Sequence, residues 1–258
     1  MAEILIGTSG YSYHDWVGPV YPEGTKQKDY LACYSKMFPT VELNFSYHAM
    51  PRAANIAKML EDGGPSLTFA IKAHQTLTHK IDPHKWEDEA KTYITAIEPM
   101  LNARRLEVVL FQFPFSFHYT PDNRRYLDRL LNYFKGIPVA VEFRKTDWYS
   151  GKVIEAMRKR EIPLASLDMP DLNGLPPSMD VITAPMVYIR LHGRNREAWW
   201  GDNDHNRYNY LYADSEIEAW AGRIKRIIEN AKKILVYFNN HPFGKAVRNA
   251  QTLERMLK

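Results

Sequence analysis

Short apolar runs recur along the chain, and each one ends in polar or charged groups. Pro138-Val-Ala-Val-Glu142-Phe-Arg144 is the sharpest case. A run of this kind predicts a buried strand. Residues two apart on a strand share a face, so Glu142 and Arg144 point the same way. A buried strand has no structural need of a charge pair at its C-terminal tip. The same ending closes Ile4-Leu-Ile-Gly7-Thr8-Ser9-Gly10, Thr40-Val-Glu42-Leu-Asn44, Phe69-Ala-Ile-Lys72 and Val109-Leu-Phe-Gln112. It closes Leu164-Ala-Ser-Leu-Asp168, Val187-Tyr-Ile-Arg190-Leu-His192 and Leu235-Val-Tyr237-Phe-Asn239 as well. Eight strands are predicted: 4–7, 40–44, 67–72, 106–112, 138–143, 163–168, 186–191 and 234–238.

Between the strands the apolar spacing becomes helical. Helices are predicted over 28–38, 51–62, 86–102, 122–134, 150–160, 216–233 and 243–257. Pro39 ends the first, and Gly63-Gly64-Pro65 ends the second. Thr120 is the expected N-cap before Pro121, and Asp214 or Ser215 the expected cap of the helix from Glu216. Met169 to Pro185 is rich in Pro and Gly and predicts no helix. Strands alternating with helices mean a parallel sheet. Eight such units in 258 residues predict an α/β fold, a (β/α)8 TIM barrel as a single domain over 1–258, with an irregular connection between strands six and seven. An open doubly wound sheet would have fewer strands and collect its site at one switch point.

Composition narrows the partners. The net charge is +4, which permits a nucleic-acid or phosphate partner without demanding one. Cys33 is the only cysteine, which leaves no internal disulfide and no cysteine-based zinc site. It falls in the first helix and reads as a packing residue. No signal-peptide pattern opens the chain, and no apolar run is long enough to span a membrane. The expectation is a cytoplasmic protein without membrane contact. Its oligomeric state is left open.

An ordered set of motifs resembles the domain-of-unknown-function family 72, the YecE-like proteins. It comprises Gly7-Thr8-Ser9-Gly10-Tyr11, Trp16, Tyr21-Pro22, Val41-Glu42-Leu43-Asn44, Tyr47, Pro51, Lys72, Thr78-His79 and Gln112-Phe113-Pro114. It continues through Val141-Glu142-Phe143-Arg144, Trp148, Asp168, Arg190-Leu191-His192-Gly193, Tyr237-Phe238-Asn239-Asn240 and Asn249-Ala250. Tyr11 stands where the family often has Trp, which keeps an aromatic surface. The resemblance implies a TIM-type barrel and carries no settled activity with it.

TIM-barrel sites lie at the C-terminal strand ends. The ring expected there holds Glu42, Asn44, Lys72, Gln112, Glu142, Arg144, Asp168, Arg190, His192, Tyr237 and Asn239. Glu142 is the first candidate for acid–base work, with Glu42, Asp168 and His192 assisting. Two carboxylates flanking a bond would suit glycoside hydrolysis. Lys72, Arg144 and Arg190 would hold anionic groups and keep the carboxylates ionised. Asn44, Gln112, Tyr237, Asn239, Asn240, His79, Ser9, Tyr11 and Trp16 complete the expected substrate contacts. Glu42, Glu142, Asp168 and His192 offer a divalent metal as the minor alternative, but the fixed cations interleaved with them argue against it, and the leading expectation is no cofactor. His74, His79 and His84 lie five apart, unlike a helical zinc pair. No nucleophile elbow, Walker motif or dinucleotide fingerprint occurs.

Aromatic side chains crowd the loops at the same ends: Tyr11, Tyr13, Trp16, Trp199, Trp200, Tyr208 and Tyr210. Flat rings beside polar groups suit sugars or unstacked bases. Arg194, Arg196 and Arg207 add positive charge to the long loop 193–214, which reads as a lid. The leading reading is a hydrolase or related enzyme acting on a polar or anionic small molecule, sugar-containing or phosphorylated. A nucleic-acid-binding protein resembling an abasic-site nuclease is the rival, and a non-catalytic binding barrel the third. The plain alternative for the charges is a structural ion network.

Overall fold

The computed structural model describes residues 2–201 and 203–258. Of the loop 193–214, residue 202 and the side chain of residue 204 lie outside the described residues. The strands are β1 Glu3–Thr8, β2 Thr40–Leu43, β3 Thr68–Lys72, β4 Leu106–Phe113, β5 Val139–Phe143, β6 Ser166–Asp168, β7 Met186–Leu191 and β8 Lys233–Phe238. The helices are α1 Tyr30–Tyr34, α2 Phe45–His48, α3 Ala53–Asp62, α4 Trp86–Asn102, α5 Pro121–Tyr133, α6 Gly151–Lys159, α7 Asp204–Arg207, α8 Asp214–Ile227 and α9 Lys245–Leu257.

Local chemistry explains most helix ends. Thr120 Oγ1 accepts the backbone N–H of Asn123 (3.3 Å) and Pro121 opens α5, as the sequence predicts. The helix expected over 28–38 is only the five residues of α1. Beyond it the turn tightens, with Lys36 N–H on Cys33 O and Met37 N–H on Tyr34 O, because the chain must enter β2 at Thr40. The helix expected to run to Lys233 stops at Ile227, since Lys233 already pairs with Glu3 and Met186 at the start of β8. Its N-cap is Ala213 rather than Asp214 or Ser215. Glu216 supplies the cap from inside, its Oε2 accepting the Ala213 N–H at 2.9 Å. The last helix starts at Lys245 rather than 243, after a turn in which Phe243 and Gly244 are left-handed (φ 57° and 70°). The short α2 and α7 carry no periodic signal and were not predicted.

The strands form two four-stranded parallel sheets, β1-β8-β7-β6 and β2-β3-β4-β5. This differs from the single closed sheet expected. One bridge links the sheets at each seam, Ser9 with Glu42 and Val141 with Leu164. Side-chain hydroxyls explain the interruptions. At the first seam the Tyr34 hydroxyl accepts the Thr8 N–H (2.9 Å) and donates to Thr40 O (3.0 Å), taking bonds a β1–β2 ladder would have made. Gly7 allows the close approach, since a Cβ there would lie 2.2 Å from Thr40 O. At the second seam Thr183 Oγ1 accepts the Leu164 N–H (2.9 Å) and donates to Ile162 O (2.7 Å), which delays regular β6 pairing to Ser166.

Strand alternation sorts the interior into two clusters. Ala70, Val108, Leu110, Ala140, Ala165, Leu167, Tyr188, Leu235 and Tyr237 pack together on one face of the strands. Val41, Phe69, Ile71, Val109, Val141, Ile189 and Val236 pack on the other with helix residues such as Ile56, Tyr93, Leu130 and Trp220.

Replacing Tyr34 by Phe removes the seam hydroxyl and leaves the buried Thr8 N–H and Thr40 carbonyl without it. The expected loss is about 1–3 kcal/mol in urea unfolding, with the slope unchanged. A loss below a few tenths would show that the seam does not depend on this hydroxyl.

Candidate active site

The inner strand face carries the charges, and Arg190 on β7 stands among them. The residue is 2% exposed. Its Nη2 donates to Glu42 Oε1 on β2, and its Nη1 to Glu142 Oε2 on β5, both at 2.6 Å. The other Glu42 oxygen accepts the Tyr188 hydroxyl at 2.6 Å. Arg144 Nε lies 2.5 Å from Glu142 Oε1, an ion contact whose N–H is poorly aligned with the oxygen. Burial alone would raise the pKa of Glu142. The guanidiniums of Arg190 and Arg144 outweigh it and hold the group well below the usual carboxylate range.

His192 is wholly buried beside this cluster. Asn239 Nδ2 lies 3.0 Å from its Nδ1, and Arg144 Nη2 lies 3.4 Å from the same atom. A guanidinium only donates, so Nδ1 carries the lone pair and the ring proton sits on Nε2. Nε2 faces Glu142 Oε1 at 3.4 Å. Burial and then Arg144 push the pKa of His192 down to about 3. The imidazole is therefore neutral near neutral pH.

Next to the cluster lies a cavity of about 280 Å³. Lys72, Arg144 and Arg207 bring cations to its wall, and Gln112 and His79 bring neutral polar groups. Tyr47, Phe115, Trp199, Trp200 and Tyr208 supply flat rings, with Leu175 from the irregular connection. Among the described residues no carboxylate lines it; Glu42 and Glu142 are spent on the arginines. Lys72 is partly buried, with Nζ 4.0 Å from the centre of the Tyr47 ring. Burial, then Arg190 and Arg144, push its pKa down to about 7. Burial, then Lys72 and Arg144, push His79 down to about 3.

Not every expected residue meets there. Asp168 lies on the even-numbered face of β6, whereas Ala165 and Leu167 face the inner cluster. It points outward and accepts Arg194 Nε (2.8 Å) and Nη2 (2.6 Å), the Tyr212 hydroxyl (2.8 Å) and Trp220 Nε1 (2.7 Å). Asn240 shares the outer parity on the extension of β8 and holds Tyr210 O (2.8 Å) and Asn249 Oδ1 (2.9 Å). Tyr237 packs in the inner cluster with its hydroxyl on Thr40 Oγ1 (2.7 Å). Gln112 Nε2 donates to Phe113 O at 3.0 Å. Trp16 is buried and braces His241 O through Nε1 (2.8 Å), and Tyr11 packs near Tyr34 at 6.2 Å; neither lines the cavity. Ser9 Oγ and Asn44 Oδ1 are buried without a protein partner among the described residues. The two carboxylates do not flank an open space, because the Arg190 guanidinium bridges them. That same guanidinium takes the position a divalent ion would need. Among the described residues no group of three or more His, Cys, Asp or Glu side chains could hold a metal.

Tyr188 and Tyr47 were missed. Tyr188 was readable, since it lies two before Arg190 and so on the same face. Tyr47 sits on the unpredicted α2, where nothing in the spacing aims it at Lys72.

The fold and site define an α/β protein with a cavity at its strand ends walled by Lys72, Arg144 and aromatic rings. The chain belongs to the family described as Protein of unknown function DUF72, which it matches over residues 5–258. It is 30% identical over 269 residues to UPF0759 protein YunF of Bacillus subtilis (strain 168), covering 98% of this chain and 94% of that one. It is similar to the crystal structure of a DUF72 family protein from Thermotoga maritima MSB8 at TM-score 0.90 and 33% identity, with 99% of each chain covered. A DUF72 family protein of Enterococcus faecalis V583 shares the fold at TM-score 0.88 and 24% identity, covering 98% of this chain and 95% of that one.

Two stability profiles follow from the shifts. The folded state binds the Lys72 proton only below about 7, the unfolded chain below 10.5. Its charge therefore costs stability in full below about 7, and the cost fades as pH rises toward 10.5. Lys72→Met is expected to stabilise the protein on the acid side of neutrality by roughly 3 kcal/mol in urea unfolding, and progressively less in alkali. His192 acts at lower pH: its stabilising neutrality is lost as pH falls from 6.5 toward 3, and His192→Asn should flatten that decline. An unchanged slope in His192→Asn would contradict a neutral buried imidazole.

Proposed function

We propose that the chain is a hydrolase-like enzyme acting on an anionic small molecule, phosphorylated or sugar-derived, bound in the cavity beside Arg190. In this proposal the two sheets together form the wall of one TIM-type barrel domain, and the cavity lies at its C-terminal mouth. The observation that carries the reading is the charge of the wall. Lys72 and Arg144 line the cavity, no carboxylate is among its described lining residues, and Lys72 has none in ion-pair range among the described residues. A site of this kind leaves positive charge for a ligand to neutralise. The rings of Trp199, Trp200 and Tyr208 suit the flat or apolar part of the same ligand.

The roles shift from those expected. Glu142 and Glu42 fix Arg144 and Arg190 in place, and His192 stays neutral between Asn239 and Glu142. Lys72 takes the acid–base role, since an amine with a pKa of about 7 can accept and return a proton near neutrality. No metal is required. A cytoplasmic location fits Cys33, the single cysteine, which is unpaired. No helix among the described residues is long and apolar enough to cross a membrane.

One observation favours the nucleic-acid reading. Trp200 is 54% exposed on the cavity wall that Arg207 also lines, a stacking platform beside a cation.

The test is thermal unfolding of the protein with inorganic phosphate, a hexose phosphate, the unphosphorylated hexose and short single-stranded DNA. A phosphate-bearing sugar should raise Tm where the neutral sugar does not. Arg144→Ala should weaken that binding roughly 10- to 100-fold, the worth of a charged hydrogen bond. A shift with DNA alone, lost on adding salt, would replace this reading by the nucleic-acid one. No shift with any anion would sink both.

A further inference from the structure

Lys72 is placed unlike an ordinary anion-binding lysine. Among the described residues no carboxylate lies in ion-pair range of its Nζ, which rests instead on the face of Tyr47 at 4.0 Å. The charges acting on it are those of the neighbouring cluster, in which Arg190 and Arg144 disfavour its proton and Glu142 and Glu42 oppose them less strongly. Its backbone is clamped, because Lys72 O accepts both the Ser46 hydroxyl (2.5 Å) and the Tyr93 hydroxyl (3.0 Å). The amine thus projects from a fixed point into a cavity whose wall also carries Arg144, a cation that can take the charged end of a ligand. Burial beside the arginines leaves a substantial fraction of this amine neutral near neutral pH, and a neutral amine is a nucleophile.

We propose that Lys72 is a covalent nucleophile toward an aldehyde or ketone, and that the substrate class is a small carbonyl compound bearing a phosphate or comparable anion. This rests on the anionic-ligand reading above and narrows it. The nitrogen lone pair forms a bond to the carbonyl carbon while the carbonyl electron pair moves to oxygen. Oxygen takes a proton from solvent and nitrogen gives one up, forming a carbinolamine. Protonation and departure of that oxygen as water leave an iminium ion, and water restores amine and carbonyl by the reverse steps. No oxidant or reductant is consumed. Arg144, on the same cavity wall, holds the anion, so the carbonyl is delivered to Nζ. The iminium cation is itself an electron sink for bonds on the adjacent carbon, which gives the lysine a use beyond binding.

The experiment traps the iminium in the full-length protein. Glyceraldehyde 3-phosphate is added with sodium borohydride, and peptide mass spectrometry locates the reduced adduct. Glycerol 3-phosphate, which has the anion and lacks the carbonyl, serves as competitor and as a binding probe by Tm. The expected result is one adduct on Lys72 that needs both reagents, is suppressed by glycerol 3-phosphate and disappears in Lys72→Arg. If glycerol 3-phosphate binds and Lys72 stays unmodified, the covalent proposal falls while the anion site stands. Label on exposed lysines such as Lys80, with none on Lys72, overturns it equally. If glycerol 3-phosphate does not bind and no adduct forms, the anionic-ligand reading falls with it.

Discussion

The Arg190 guanidinium joins the two halves of this structure. It stands on β7 in one sheet and holds carboxylates from β2 and β5 in the other. Burying three charges costs several kcal/mol for each ion, and their attraction returns that only where every oxygen is matched. Glu42 is matched fully, by Arg190 and Tyr188. Glu142 Oε2 is matched by Arg190, while Oε1 has Arg144 Nε and His192 Nε2 close by without an aligned hydrogen bond among the described residues. Apolar side chains would fill the same interior more cheaply. What the cluster adds is orientation: it fixes Arg144 and a neutral His192 beside the cavity and commits the negative charge inside the wall.

That commitment keeps both carboxylates off the described cavity wall. The ring seen along the sequence is near balance, with three carboxylates against three cations. In the fold the balance is broken by position. Two carboxylates are spent on Arg190 and Arg144, and the third, Asp168, faces away. Lys72 keeps no acid in ion-pair range among the described residues, and burial, then Arg190 and Arg144, lower its pKa to about 7. The ion network of Glu42, Glu142, Arg144 and Arg190 and the absence of a carboxylate among the described cavity-lining residues are then parts of one arrangement.

Most of this was legible in the residues. The apolar runs located all eight strands, and their polar ends located Glu42, Lys72, Gln112, Glu142, Arg144, Arg190, His192 and Asn239 on the inner face. The errors have identifiable causes. Asp168 and Asn240 were admitted for standing at strand ends, although strand parity sends both outward. Tyr188 was left out despite having the right parity. The seams depend on two hydroxyls, Tyr34 and Thr183, that reach backbone groups far from them in sequence, and no periodicity encodes such a contact. Tyr47 and Leu175 arrive on an unpredicted helix and an irregular connection. Their place in the cavity is a product of tertiary packing, which local pattern does not carry. The YecE-like resemblance read from the motifs agrees with the family to which the chain belongs.

The pairing of β1 with β8 carries a consequence for how the chain is made. The first strand can be paired on that side only when the last has been synthesised, and Trp16 meets His241 across 225 residues. Contacts of such separation close late, because the entropy of the intervening loop must be overcome first. On the ribosome, Glu42 and Glu142 emerge well before Arg190 and cannot leave water without it. The half-made chain therefore keeps its acids hydrated and its interior open. Desolvation of the charge cluster waits for β7, whose Arg190 reaches carboxylates on β2 and β5.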